Sequence, residues 1–127
     1  MTVKNPDLLP LFEQAKSLLQ PYAKHFTVRR DEPGYYDLWS EKDLVIEGRA
    51  RTEVFFAGLI IQKSYVGFYY MPVYTDEEAK GFFGPEMLSL LKGKSCFYLK
   101  KMTPEIRSQM VAALDAGYKL YKKRGWV

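Results

Sequence analysis

The chain has 127 residues, the length of one domain that can bury its own core without disulfides or a structural metal. Hydrophobic residues are 47% and charged residues 27% of it, a balance that excludes a disordered chain or a coiled coil. A single Cys excludes an internal disulfide, and a single His leaves little nitrogen for a metal centre.

Leu8, Phe12, Ala15, Leu19 and Tyr22 recur at three- and four-residue steps and predict an amphipathic helix from Leu8 to Tyr22. Asp7 is its expected N-cap, Pro10 falls in its first turn, and Pro21 ends or kinks it. His25 to Arg30 reads as a short strand, Asp31-Glu32-Pro33-Gly34 as a turn, and Tyr35 to Trp39 as the returning strand. Leu44, Ile46, Gly48 and Ala50 then alternate with Val45, Glu47, Arg49 and Arg51, which predicts one half-buried strand. Val54 to Ile61 is apolar on both sides and reads as a central strand. Lys63-Ser64 is a turn, and Tyr65 to Met71 an aromatic strand. These connections are too short for parallel crossovers, so Tyr35 to Met71 is expected as an antiparallel meander.

Thr75-Asp76-Glu77-Glu78 is a capping box, which gives its acidic run a structural reason. Gly84-Pro85-Glu86 starts a short helix that Gly93 ends, and Ser95 to Lys101 is one more strand. Thr103-Pro104-Glu105 caps the last helix, whose apolar stripe is Ile106, Met110, Ala113, Gly117 and Tyr121, and Gly125 stops it. The expected fold is α+β: a single antiparallel sheet of five to six strands with the N-terminal and C-terminal helices packed on one face. The opening residues Met1 to Pro6 have no apolar run, so no signal peptide is expected there. The longest apolar run, Val54 to Ile61, is far short of the ~20 residues a membrane helix needs. A cytoplasmic protein that does not enter the membrane is therefore expected, and a lone Cys fits a reducing compartment.

Charge is unevenly spread. Residues 92–127 carry nine Lys/Arg against two acids, while the rest of the chain is net negative. Cations at the end of the last helix complement its dipole, and they also attract phosphates or an acidic partner.

The segments Tyr35 to Trp39, Phe55-Phe56-Ala57-Gly58, Val66-Gly67-Phe68-Tyr69-Tyr70 and Gly93-Lys94-Ser95-Cys96-Phe97-Tyr98-Leu99-Lys100-Lys101 follow one another in an order that resembles the YdhG-like family, a bacterial domain of unknown function. The resemblance covers nearly the whole chain after residue 25 and rests on hydrophobic patterns. Some members of that family are described as frataxin-like iron chaperones. The resemblance therefore implies the same fold class and, as an alternative function, intracellular iron handling.

Iron of that kind needs clustered carboxylates. The first helix offers only Asp7 and Glu13, beside Lys4 and Lys16, and the better acidic patch is Asp31, Glu32, Asp37, Glu41 and Asp43 around the first hairpin. Nucleophilic catalysis needs a nucleophile, a base and an orienting group, and no spacing around His25 or Cys96 suggests one. No catalytic residue, metal ligand or cofactor is assigned. The leading expectation is a binding module for a small anionic ligand or a partner protein. Trp39, Arg49, Arg51, Tyr69, Tyr70 and Tyr98 would line a concave sheet face, with Arg fixing a carboxylate or phosphate and Tyr supplying walls. Nucleic acid ranks behind these. Its charge would come from Lys94, Lys100, Lys101, Lys119, Lys122, Lys123 and Arg124, with Tyr98 among them.

Overall fold

A computed structural model describes residues 3–46, 48–51, 53–72, 81–93 and 95–127. Their strands are β1 (Asp31–Glu32), β2 (Tyr35–Ser40), β3 (Leu44–Ile46), β4 (Arg49–Arg51), β5 (Val54–Ile61), β6 (Val66–Tyr70), β7 (Leu91–Lys92) and β8 (Cys96–Leu99). The α-helices are α1 (Leu9–Leu19), α2 (Pro85–Leu88) and α3 (Pro104–Lys123). Six strands form one antiparallel sheet in the order β1-β2-β5-β6-β8-β7, and β3 and β4 form a two-stranded sheet of their own. The α+β architecture expected from the sequence is the one observed, and no helix among the described residues is long and apolar enough to cross a membrane.

Helix α1 is flanked by 3-10 turns at Pro6–Leu8 and Gln20–His25. The cap is not Asp7. The Asn5 side chain accepts from the Asp7 amide, because Pro6 starts the turn one residue after Asn5 and so moves the cap upstream. Pro21 breaks the i→i−4 ladder, and the chain tightens into the second 3-10 turn instead of stopping. Helix α3 begins as its sequence predicts, with the Thr103 hydroxyl accepting from the Ile106 amide at 3.1 Å. Its stripe of Ile106, Met110, Ala113, Gly117 and Tyr121 is buried.

Two strand expectations and one helix end are corrected. His25 to Arg30 makes one bridge, from Thr27 to Trp39, and one further backbone bond in which the Arg30 carbonyl accepts from the Asp37 amide, and the pairing strand is Asp31–Glu32. The amides of Arg29 and Arg30 both donate to Asp37 Oδ1, at 3.0 and 2.8 Å, so a side chain takes the place of a ladder. Residues 44–51 are not one strand but a hairpin, which turns back where Gly48 takes φ 78°. A period of two continues unchanged through such a turn and does not reveal it. Helix α2 stops at Leu88, and Gly93, with φ 72°, turns between β7 and β8 instead of ending a helix. The capping box at 75–78 lies outside the described residues.

Register assigns the two faces of the six-stranded sheet, because residues opposite each other in a ladder share a face. The rows Tyr36–Leu59–Phe68–Phe97, Leu38–Ala57–Tyr70 and Ile61–Val66–Leu99 are buried and form the core with α1 and α3. At the Leu38/Trp39 bulge the extra residue, Phe56, also turns into this core.

Candidate functional site

The other face of the sheet carries the rows Asp37–Gly58–Tyr69–Cys96–Lys92 and Tyr35–Ile60–Gly67–Tyr98, with the pair Trp39–Phe55 at one end. Tyr35, Trp39, Phe55, Ile60, Tyr69, Cys96 and Tyr98 all keep part of their surface in solvent. This is an aromatic face outside the core.

Two glycines let the rings lie flat on it. A Cβ on Gly67 would stand 2.8 Å from Tyr69 Cε2 and 3.2 Å from its Cζ and hydroxyl, so the Tyr69 ring rests on the strand where Gly67 has no side chain. A Cβ on Gly58 would stand 3.0 Å from Phe55 Cζ. Tyr65, just before β6, stacks on Tyr98 with ring centroids 3.8 Å apart and planes 9° from parallel. The Tyr65 phenol is pushed up to about 12, first by its hydrogen bond with Tyr98 and then by burial.

Polar groups run across this floor. Lys4 Nζ donates to Gln62 Oε1 at 2.9 Å, and Gln62 Nε2 makes a long 3.5 Å contact with the Tyr69 hydroxyl. Burial raises the Tyr69 phenol and the neighbouring Cys96 raises it further, opposed by the Gln62 contact. Burial also raises the Cys96 thiol, opposed by its hydrogen bond with Tyr69. A thiol shifted in that direction is protonated at neutral pH and is a poor nucleophile.

Charge divides the face in two. At the β1–β2 end, Arg29 lies over the Trp39 ring at 4.2 Å and is paired with Glu41 and Glu53. Arg30 lies over the Tyr35 ring at 4.2 Å and is paired with Glu32. Buried Asp37 accepts from the Arg29 and Arg30 amides and from Trp39 Nε1, which fixes that end as a closed polar network. The β6–β8 end differs. Residues 54–72 and 87–104 contain no acid, and they bring Lys63, Lys92 and Lys100. Lys92 stands opposite Cys96 in the ladder and so shares its face. Val66 pairs with Leu99, so Lys100 follows in register opposite Tyr65.

Of the six residues expected to line a site, the structure brings Trp39, Tyr69 and Tyr98 to this face and separates the others. Tyr70 is fully buried on the opposite face, where its hydroxyl donates to the Ala113 carbonyl at 2.6 Å. Strand alternation forces that outcome, since adjacent Tyr69 and Tyr70 cannot share a face. Arg49 and Arg51 belong to the β3–β4 hairpin, opposite Ile46 and Leu44, and not to the six-stranded sheet. The arginines on the aromatic face are Arg29 and Arg30, together with Tyr35, Phe55, Tyr65 and Gln62, and Lys63 lies in the turn between β5 and β6. The signal available for them was the phase of each strand about Gly58 and Gly67, which needs the register to read.

Two shallow grooves lie elsewhere. One of about 410 Å³ is lined by Leu9, Glu13, Lys16, Asp31, Glu32 and Pro33, and the Lys16–Asp31 ion pair of 2.6 Å occupies part of its rim. The other, of about 400 Å³, lies between Gln14 and Ser17 of α1 and residues Met102 to Arg107. Among the described residues no group of three or more His, Cys, Asp or Glu is placed to hold a metal ion. The chain matches no protein-family model, no curated protein and no solved structure.

Proposed function

We propose that the protein is a non-enzymatic binding module that holds an anionic ligand on the β6–β8 half of its open sheet face. The flat part of the ligand rests on Tyr69 and on the Tyr65–Tyr98 stack, and its anion meets Lys63, Lys92 and Lys100. The observation that carries this reading is the charge division: the aromatic floor continues across the sheet, but residues 54–72 and 87–104, which build its β6–β8 half, hold Lys63, Lys92 and Lys100 and no carboxylate. The arginines at the other end are already paired with Glu32, Glu41 and Glu53. The titratable groups shifted at the β6–β8 end, Tyr65, Tyr69 and Cys96, are all shifted toward their protonated forms, which suits binding rather than base or nucleophile chemistry.

Titration with 8-anilinonaphthalene-1-sulfonate, an aromatic sulfonate, tests the reading by amide chemical-shift mapping. The expected result is saturable shifts at Gly67, Cys96 and Tyr98, weakened in the double variant Lys63→Gln, Lys100→Gln. Shifts confined to the grooves beside α1, or insensitivity to the lysine variant, would refute it.

A further inference from the structure

We infer that the ligand of this face is single-stranded nucleic acid, with bases stacked on the Tyr65–Tyr98 and Tyr69 rings and phosphates against Lys63, Lys92 and Lys100. The inference rests on the reading above and narrows it to one ligand class.

Shape is the first argument. A site for a small molecule encloses most of its ligand's surface in a concave pocket. This face is a floor. Its rings lie down on the strands at Gly58 and Gly67, and on the β6–β8 half the row Tyr69–Cys96–Lys92 crosses three strands, about 10 Å at ~4.8 Å per strand. An open floor between spaced cations suits a polymer laid across it.

The spacing of the cations is the second. Lys92 lies opposite Cys96 at the start of β8, and Lys100 follows its end, so the two stand about 13 Å apart along the strand at ~3.3 Å per residue. One carboxylate or one phosphate cannot meet both. A chain with repeated anions can, and Lys63 adds a third cation in the turn beside Tyr65.

The third argument is the kind of surface between the cations. Flat aromatic rings flanked by lysines accept any base by its π-face, and they require that base to be out of a duplex. The acid-free composition of residues 54–72 and 87–104 leaves nothing in these segments to repel a phosphate chain, whereas Asp31, Glu32, Glu41 and Glu53 at the other end would repel it. An acidic peptide would satisfy the lysines but would leave the stacked rings without a partner of matching shape.

Fluorescence anisotropy with fluorescein-labelled dT12 and U12, and with a 12-base-pair duplex as comparison, tests the inference on the full chain. The expected result is binding of the single strands over the duplex. Neutralising three phosphates predicts a slope of about −2 for log binding constant against log salt. Tyr98→Ala is expected to weaken binding about tenfold, the loss of one stacked base. Lys63→Gln with Lys100→Gln reports independently of the Tyr98 variant's folding and is expected to flatten the slope by about 1.4. Lys119→Gln, on α3, is expected to change nothing. Failure of both single strands to bind, with the aromatic sulfonate still mapping to Gly67 and Cys96, overturns this inference and leaves the anionic-ligand reading standing. Loss of both signals overturns both. Single-strand binding that ignores the Tyr98 and lysine variants places the nucleic acid elsewhere and also overturns it.

Discussion

Gly117→Ala is the sharpest test of how the sheet and the last helix fit together. Gly117 sits in the interior of α3, where Ala is favoured over Gly by ~1 kcal/mol of helix propensity. Yet a Cβ there would stand 1.7 Å from the Tyr70 hydroxyl oxygen, 2.7 Å from its Cζ and 3.1 Å from Pro72 Cγ. Tyr70 is fully buried against Phe56, Phe68 and Phe83, and its hydroxyl donates to the Ala113 carbonyl, so the ring has nowhere to retreat. Overpacking of this kind costs ~3 kcal/mol at the upper end of the usual range, which leaves a net loss of about 2 kcal/mol after the propensity gain. Urea denaturation followed by Trp39 and Trp126 fluorescence reads this as a lower midpoint at an unchanged slope. Tyr70→Phe alone removes one hydrogen bond and is expected to cost about 1 kcal/mol. In the double variant the clashing oxygen is gone, so it should be more stable than Gly117→Ala alone. If the two single losses instead add within ~0.5 kcal/mol, the Tyr70–Gly117 contact is not what makes residue 117 glycine.

The same substitution at Gly67 is expected to behave oppositely. There the obstructing atoms are the far end of a half-exposed Tyr69 side chain, so Gly67→Ala should leave stability within ~0.5 kcal/mol, lift the ring, and weaken ligand binding on the open face; a stability loss like that of Gly117→Ala would refute the distinction. Asp37→Ala leaves the Arg29 and Arg30 amides and the Trp39 indole N–H without their acceptor and should cost ~3 kcal/mol, with fast hydrogen exchange at residues 29 and 30; protection that persists there would show that Asp37 does not hold the segment. Burial raises the Tyr70 and Tyr121 phenols well above their ordinary value, so the folded state keeps protons that the unfolded chain gives up near pH ~10. Stability should therefore be flat with respect to these groups below that pH and fall as pH rises through and beyond it. Phenolate absorbance from all ten tyrosines before any loss of circular dichroism would contradict this.

Local chemistry was readable from the residues alone wherever it depended on near neighbours. Thr103-Pro104 capped α3, and Pro33-Gly34 turned one hairpin, with Gly34 at φ 82°. The three- and four-residue stripe from Ile106 to Tyr121 chose the buried side of the last helix. Together these determined the α+β class. What they left open needed partners distant in sequence. The alternation of 44–51 is the same for one strand as for a hairpin, so only pairing could detach Arg49 and Arg51 from the main sheet. Tyr69 and Tyr70 look alike as residues, and the register of β5–β6–β8 alone sent one ring to the open floor and the other under α3. Asp37 reads as one more acid of the patch around the first hairpin until its carboxylate is seen to replace the strand expected at 25–30. Lys100, distant in sequence from Tyr65, stands opposite it beside the aromatic stack because antiparallel pairing aligns Val66 with Leu99. The sequence determined which segments could form elements; long-range register decided which side chains share a face, and the candidate site exists only at that level.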